Sequence, residues 1–576
     1  MAKSTAINPA EAVAEKVQRR IFECIDQRKS FLVEAGAGAG KTHSLIGTLQ
    51  YLIETQGIKL SRNNQQVACI TFTNVATDEI RARTDRHPII NADTIHSFCW
   101  SLMRPFQSSL RAHLPNIGKW EKRLEEAGSP TLSTVNYSLG YPSITNGDAT
   151  LHHDDVLSLT IALLAEPKFR QVLAGRYPVI LIDEYQDTDK NFAEAILTHL
   201  VGAETGPLVG FFGDHWQKIY GTGCGAVDQR KLEVIGKKSN FRSVPAIVNV
   251  LNKMRPELQQ AVTNPQALGS AIVYHTNAWS GARDTGSHRK GDLAPEDGHQ
   301  YLLLLKTQLA DSGWDLSADK TKILMLTHKV LAAEQGYRQL ADVFDRNESY
   351  VKKEDPHVAF FVDMVEPVCR AYEEGKLGSM FHALGVGRPA ITSKEDKVAW
   401  KRDMDKLLEL RKTGTVGQVI DHLKSSKIEI PNGVQRSEEN ANEPENERSA
   451  RTRALRDVAY SEVTAFAEFI QGHTSFETKH GVKGAQFENV LVVFGRGWNI
   501  YDFNQMLEVM ARTPSENELP AYERNRNLFY VVCSRPKTNL VLLFTQALSP
   551  TALERLAHLF GNEAIHALPD LSIANG

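Results

Sequence analysis

Eight consecutive residues, Ala35-Gly36-Ala37-Gly38-Ala39-Gly40-Lys41-Thr42, have the types and order that grip a polyphosphate. Small residues let successive backbone N–H groups close around phosphate oxygens, where larger side chains would hold them off. The lysine would reach the β- and γ-phosphates of a nucleotide, and the threonine hydroxyl would complete the coordination of Mg2+. Such a loop works between a strand and a helix, whose N-terminal dipole adds to the field at the phosphates. Phe31–Val33 is the strand-like run before it and His43–Leu52 the helical pattern after it. Ala35 stands where the general pattern has glycine. The competing reading, a small-residue turn with no ligand, is disfavoured by the Gly-Lys-Thr ending and by this placement.

A metal ion beside that loop needs a carboxylate at the tip of a neighbouring strand. Val179-Ile180-Leu181-Ile182-Asp183-Glu184 supplies one, an apolar strand ending in two acids at the carboxyl edge where α/β ligands bind. Asp183 would hold Mg2+ through water, and Glu184 would polarise an attacking water. Read alone, an apolar run followed by Asp-Glu is also a strand entering a solvated loop. Paired with the phosphate loop, it reads as the second half of an ATP site.

The elements that must position these groups are short apolar runs at Phe31–Val33, Val67–Thr71, Val179–Ile182, Leu208–Phe212, Ile323–Leu326, Val490–Phe494 and Asn539–Phe544, with helical patterns between them. That alternation predicts parallel sheets covered by helices, in an early and a late α/β layer. Residues 104–165 read as mostly helical, 278–299 as an exposed Gly-rich loop, and 436–453 as a polar stretch unable to bury a core. In the block between those last two, Trp400, Met404, Leu407, Leu408 and Arg411 recur at helical spacing and read as a packed stripe.

At 576 residues, 42% apolar and 23% charged, the chain is long enough for several domains and has an ordinary soluble composition. No apolar run approaches the ~20 residues that cross a bilayer, and the N-terminal residues lack a signal-peptide pattern, so a cytoplasmic protein with no membrane partner is expected. The six cysteines lie at 24, 69, 99, 224, 369 and 533 without metal-site spacing, and read as buried free thiols. A net charge of −3 neither suggests nor excludes nucleic acid.

Further segments give the chain a family resemblance. Asp183-Glu184-Tyr185-Gln186-Asp187-Thr188 resembles the D-E-[FY]-Q-D-T signature of UvrD/Rep-like superfamily 1 DNA helicases. In the same order along the chain, Ala68–Asn74 resembles A-x-T-F-T-N, Asp93–Phe98 T-x-H-S-F, Gly213–Gly221 G-D-x-x-Q-x-I-Y, Asn240–Ser243 N-[YF]-R-S, Thr478–Gly484 T-x-H-x-x-K-G and Tyr530–Arg535 Y-V-x-x-[ST]-R. The resemblance implies two RecA-like parallel-sheet motor domains with a helical insertion in each. Residues 1–103 and 170–238 would form the first motor domain around an insertion at 104–169. Residues 239–345 and 471–576 would form the second around an accessory insertion at 346–470.

The same resemblance implies roles. Gln18 would read adenine and Phe241 would stack on it; Gln217, Arg242 and Arg535 would sense the γ-phosphate, the arginines reaching it from the second motor domain. Lys483 would link the nucleotide site to DNA, and Gln486 stands where the family carries a ribose-binding Glu. Phe72 would stack on a base, and Thr94, His96 and His480 would contact DNA. It implies ATP-driven 3′→5′ movement along single-stranded or tailed duplex DNA. Two other departures stand out. No Trp follows Tyr220, where the family places a base-stacking one in a Trp-Arg-Gly run. The final motif carries Arg524-Asn525-Arg526-Asn527 in place of an acidic and double-Arg run. The compact plan is similar to the helicase subunit of Gabija-type antiphage systems, which implies a separate nuclease partner bearing an ATPase domain.

Overall fold

Residues on successive positions of the early apolar runs are buried on both sides, which a strand achieves only inside a sheet covered on both faces. The computed structural model describes residues 8–572 except 139–141, 220, 288, 326–327, 345–349, 352, 386–390, 427, 443–446, 472–473, 475, 478–484 and 497–500. The chain divides into two units, Met1–Ala271 with Arg512–Asn539, and Ile272–Ala511 with Leu540–Gly576.

The first unit is built on a six-stranded sheet in the order Ile90–Thr94, Val67–Thr71, Val179–Asp183, Leu208–Gly213, Phe31–Ala35, Glu233–Lys237. Every neighbouring pair is parallel. Alternate residues feed two cores: Phe31, Val33, Cys69 and Leu181 pack on one face, Leu32, Ile70, Ile180 and Ile182 on the other. Because the strands run the same way, the segments that follow them emerge along one edge. Those segments are the phosphate loop, Phe72, Thr94–His96, Glu184 and Asp214–Gln217. The late runs form a second six-stranded sheet, ordered Phe476–Glu477, Thr321–Met325, Phe487–Phe494, Pro536–Phe544, Ser270–His275, Ile565–Ala567. The architecture is α/β with two RecA-like sheets.

Three local expectations change. The 104–165 stretch carries helices at Gln107–His113, Trp120–Glu126 and His153–Leu164, but also a three-stranded sheet of Thr134–Tyr137, Ser143–Thr145 and Asp148–Leu151. Its hairpin turns on Asn146 and Gly147, both at positive φ (52° and 81°), the conformation an Asn-Gly turn requires. The stretch 436–453 is not free of structure: it contributes to helices Asn432–Glu439 and Glu447–Asp457. Charge pairing compensates for its few apolar groups, because Glu438 accepts from His357 (2.9 Å) and Lys424 (3.0 Å) and is also bonded to Arg456. The Gly-rich stretch 278–299 is tied down, with Arg283 donating to the carbonyls of Thr276 and Gly291 and Leu293 buried. The stripe on Lys394–Thr413 packs inward through Trp400, Met404 and Leu407, while Arg411 bonds Glu366 at 2.8 Å and Glu373 at 2.9 Å. Five cysteines are buried and Cys224 is partly so, all as free thiols. Among the described residues no helix is long and apolar enough to cross a membrane.

Candidate nucleotide site and nucleic-acid face

The loop Gly36–Gly40 joins the strand Phe31–Ala35 to a helix that begins at Lys41 and runs to Arg62, longer than its sequence pattern suggests. Gly38 and Gly40 take positive φ (74° and 76°), so both positions favour glycine. Residues from later in the unit wrap the loop closely. A Cβ on Gly38 would stand 2.9 Å from the Arg242 Cβ and 2.9 Å from Asn240 Oδ1. Asn240 Nδ2 donates to the Ala37 carbonyl (3.1 Å), Phe241 N to Gly38 O (2.9 Å), and Gln260 Nε2 to Ala37 O (3.0 Å). The Tyr530 hydroxyl accepts from Ala37 N at 3.2 Å. Lys237, buried and pushed down to about 8 by that burial, donates to Gly40 O (3.0 Å) and Ser44 Oγ (2.6 Å). Gln18 donates to Ser44 O and to Thr48 Oγ1, both at 3.3 Å, on the same helix. Phe241 leaves 42% of its surface exposed, with its ring 3.5 Å from where a Cβ on Gly40 would sit.

The acids meet the loop at Lys41, whose Nζ lies 2.9 Å from Glu184 Oε2. Burial lowers the ammonium, but Glu184, Asp214 and Asp183 outweigh it and leave it above its ordinary value. Asp183 is buried at the strand end, and burial together with Glu184 raises its carboxyl. Glu184 sits in the left-handed region (φ 47°), a conformation costly for a non-glycine residue and found at functional sites. Gln186, fully buried, holds it there: its Nε2 donates to Glu184 Oε2 at 2.5 Å, and its Oε1 accepts from Asp214 N at 3.0 Å. Thr42 is half-buried at the start of the phosphate-loop helix.

Gln217, Arg242 and Arg535 lie in the same unit as Lys41. Arg535 is fully buried and donates from Nη2 to Gln217 Oε1 at 3.2 Å. Its guanidinium is held below its ordinary value by burial and by neighbouring Arg242. Arg242 donates to Ser534 O (2.9 Å), while its buried Nε has no hydrogen-bond partner among the described residues. Two glycines in left-handed geometry, a buried ammonium, clustered arginines with one orphaned donor and a strand-end carboxylate together fit a polyphosphate and its divalent cation.

Beneath the loop lies a polar network that motif reading did not find. Glu34 accepts from Tyr185 Oη (2.6 Å), His215 Nδ1 (2.8 Å) and Arg255 Nη2 (2.9 Å), and Arg255 Nη1 reaches Asp214 at 2.5 Å. Burial would raise the Glu34 carboxyl, but His215, Tyr185 and Arg255 hold it down at about 2. Glu34, Asp214 and His215 are spaced as metal ligands would be. Arg255 already neutralises both carboxylates, so a structural cluster explains them better. Each partner lies far away in sequence, and no local spacing signals it.

Comparisons with known proteins agree with this geometry. An AAA domain family matches residues 18–223. The chain is 23% identical to the Gabija protein GajB of Bacillus cereus, over 94% of this chain and 97% of that one. It is 26% identical to the ATP-dependent DNA helicase PcrA of Staphylococcus aureus, over 39% of this chain and 37% of PcrA. The Staphylococcus epidermidis PcrA matches at 25% over the same shares. These likenesses support the resemblance to UvrD/Rep-like superfamily 1 helicases and to GajB in particular. The AAA domain and the helicase relatives support nucleotide binding and ATP hydrolysis by this chain.

The first unit places its nucleic-acid candidates at adjoining strand ends. Thr71 pairs with Thr94 across two parallel strands, so Phe72 and Thr94–His96 leave the sheet side by side. Phe72 is 45% exposed, as a stacking residue must be. Thr94 donates to Ser97 Oγ at 3.0 Å. His96 stacks on His153 with ring centroids 3.4 Å apart, and burial with His153 beside it pushes His96 down to about 4. His480 and Lys483 lie outside the described residues, as does Tyr220. Gln486 is exposed just before the strand Phe487–Phe494 of the second unit. Trp216 does not replace the missing base-stacking Trp. It is buried, with the Arg526 guanidinium 4.0 Å above its ring and Tyr530 edge-on at 5.5 Å.

Proposed function

We propose that this chain couples ATP hydrolysis to 3′→5′ movement along single-stranded DNA. DNA would stimulate turnover, and the chain would act with a nuclease partner in antiphage defence. One observation carries the reading: Lys41, Asp183, Glu184, Gln217, Arg242 and Arg535 converge in one unit, joined by the 2.9 Å Lys41–Glu184 and 3.2 Å Arg535–Gln217 contacts. In this reading the loop Ala35–Gly40 and Lys41 cradle the phosphates, Gln18 and Phe241 hold the base, and Lys483 and Gln486 complete the nucleotide contacts. Glu184 orients the attacking water, and the arginines spread positive charge over the γ-phosphate as negative charge builds in the transition state. Thr42 and Asp183 hold Mg2+, which neutralises phosphate charge when bound. Phe72, Thr94, His96 and His480 contact the DNA. The partner and the defence role rest on likeness to the Gabija protein GajB.

The absent base-stacking Trp favours a second reading. Losing one platform removes ~1–3 kcal/mol of grip per base, which suits a nucleotide-gated DNA sensor that switches a nuclease with little unwinding. Strand displacement on 3′-tailed and 5′-tailed duplexes with ATP separates the two. Displacement of the 3′-tailed substrate alone supports the motor. DNA-stimulated ATPase with no displacement supports the sensor, and turnover indifferent to DNA overturns both. Chelating the divalent cation should abolish turnover in either case.

A further inference from the structure

Two residues to which the family resemblance gives no role meet beside the arginine side of the site. Trp216 fills one of the variable positions of the G-D-x-x-Q segment, and Arg526 lies in the atypical Arg524–Asn527 run of helix Leu519–Cys533. The Arg526 guanidinium lies 4.0 Å from the centre of the Trp216 ring, a cation–π contact, while its Nη2 donates to Asn527 Oδ1 at 2.9 Å. Asn527 passes the hold onward: its Nδ2 donates to His215 O (3.3 Å) and Lys218 O (3.2 Å), on both sides of Gln217. Arg535, just beyond the end of the same helix, bonds the Gln217 side chain. The loop's far end is fixed to the segment that follows the strand-end acids, with Cys224 N donating to Thr188 O (2.8 Å) and Gly225 N to Gln186 O (3.1 Å). His215–Lys218 and Cys224–Gly225 are therefore held on the helix that ends next to Arg535 and on the segment after Glu184, respectively.

We infer that Trp216 and Arg526 are positioning residues for ATP hydrolysis, a stacked pair that fixes Gln217 and Arg535 relative to Glu184 through the Asn527 amide. The inference rests on the proposed roles of Gln217 and Arg535. It goes beyond them in assigning function to two residues that touch neither the phosphate loop nor the strand-end acids. The aromatic at 216 serves hydrolysis, not base stacking on DNA. A buried arginine face on an indole is a rigid joint, and misplacing a transition-state donor by about 1 Å can cost ~100-fold in rate.

The test uses the full chain and measures ATP turnover, ATP-analogue affinity and single-stranded DNA affinity for Trp216→Leu, Trp216→Phe, Arg526→Met and Arg526→Lys. Trp216→Leu and Arg526→Met should each lower kcat by about 10–100-fold, with nucleotide and DNA affinities within about 3-fold of the parent. Trp216→Phe and Arg526→Lys should recover much of the loss, and the Leu/Met double variant should be no slower than either single one. Arg526→Met should also change the emission assigned to Trp216 by difference from Trp216→Phe, a reading independent of turnover. Native kcat in a folded Trp216→Leu or Arg526→Met variant overturns the inference, as does a defect confined to DNA affinity. If Trp216→Leu does not fold, the Arg526 pair decides alone. If the parent chain itself turns over no more ATP than Lys41→Ala, the hydrolytic reading has failed, and an unchanged Trp216 emission in Arg526→Met then removes the contact as well.

Discussion

Lys41 and Glu184 share an ion pair at 2.9 Å in a largely buried setting, and Glu184 helps keep the Lys41 ammonium charged against its burial. Lys41→Ala should abolish ATP turnover and weaken nucleotide binding together, read by steady-state kinetics and an equilibrium titration. Glu184→Gln keeps the shape and the hydrogen bond from Gln186 but removes the charge that polarises water, so it should retain bound ATP without hydrolysing it. Arg535→Ala should lower kcat about 1,000-fold while changing ATP affinity only a few-fold, because an arginine aimed at transition-state charge contributes little to ground-state binding. The residues behind these predictions were readable in sequence because Lys41, Asp183 and Glu184 fall in short runs where a strand, a turn and a polar group follow one another. Tyr530, Gln260, Arg255 and Lys237 were not, for a physical reason. Tyr530 serves Ala37 from 493 positions away, Arg255 serves Glu34 from 221, and only folding brings such pairs together.

At the scale of elements, short continuous apolar runs located the central strands, and Val67–Thr71 matches its predicted bounds. The edge strands Ile90–Thr94 and Glu233–Lys237 escaped because mixed polar residues break their pattern. The Asn146-Gly147 hairpin was overlooked as a turn signal inside a stretch read as helical. In the accessory helices, charge does what few apolar side chains can. Arg411→Met would strand the fully buried Glu366 carboxylate and should cost about 3–5 kcal/mol, measurable by thermal or denaturant unfolding. His357 gives these helices a pH dependence. Burial lowers it, but Asp355 at 3.6 Å and Glu438 at 2.9 Å raise it above its ordinary 6.5. Its contribution is therefore complete below 6.5 and is lost as pH rises through the raised value. Glu438, held down at about 2 by His357 and Lys424 against the effect of burial, contributes above 4.5 and loses that as pH falls toward 2. His357→Gln should accordingly lower the melting temperature most in mildly acidic buffer, with the difference from the parent shrinking at alkaline pH.

Across the whole molecule, likeness to GajB extends over 94% of the chain, whereas likeness to PcrA covers 39% of it and 37% of PcrA. The ordered motifs carried the family resemblance from sequence alone, and those of the first sheet, Gly36–Thr42, Ala68–Asn74, Asp93–Phe98 and Asp183–Thr188, sit at the carboxyl ends of strands, where backbone geometry dictates residue type. What such motifs do not encode is how Asp214–Ile219 is held, because Trp216 occupies a variable position of its motif and its partner Arg526 lies 310 positions further along the chain. The measurement that bears most directly on the central claim is ATP turnover with and without single-stranded DNA, for the parent chain and for Glu184→Gln. A DNA-stimulated rate in the parent, with Glu184→Gln binding ATP but silent in both conditions, is the expected result. Turnover that ignores DNA, or a Glu184→Gln variant hydrolysing at the parent rate, would contradict it.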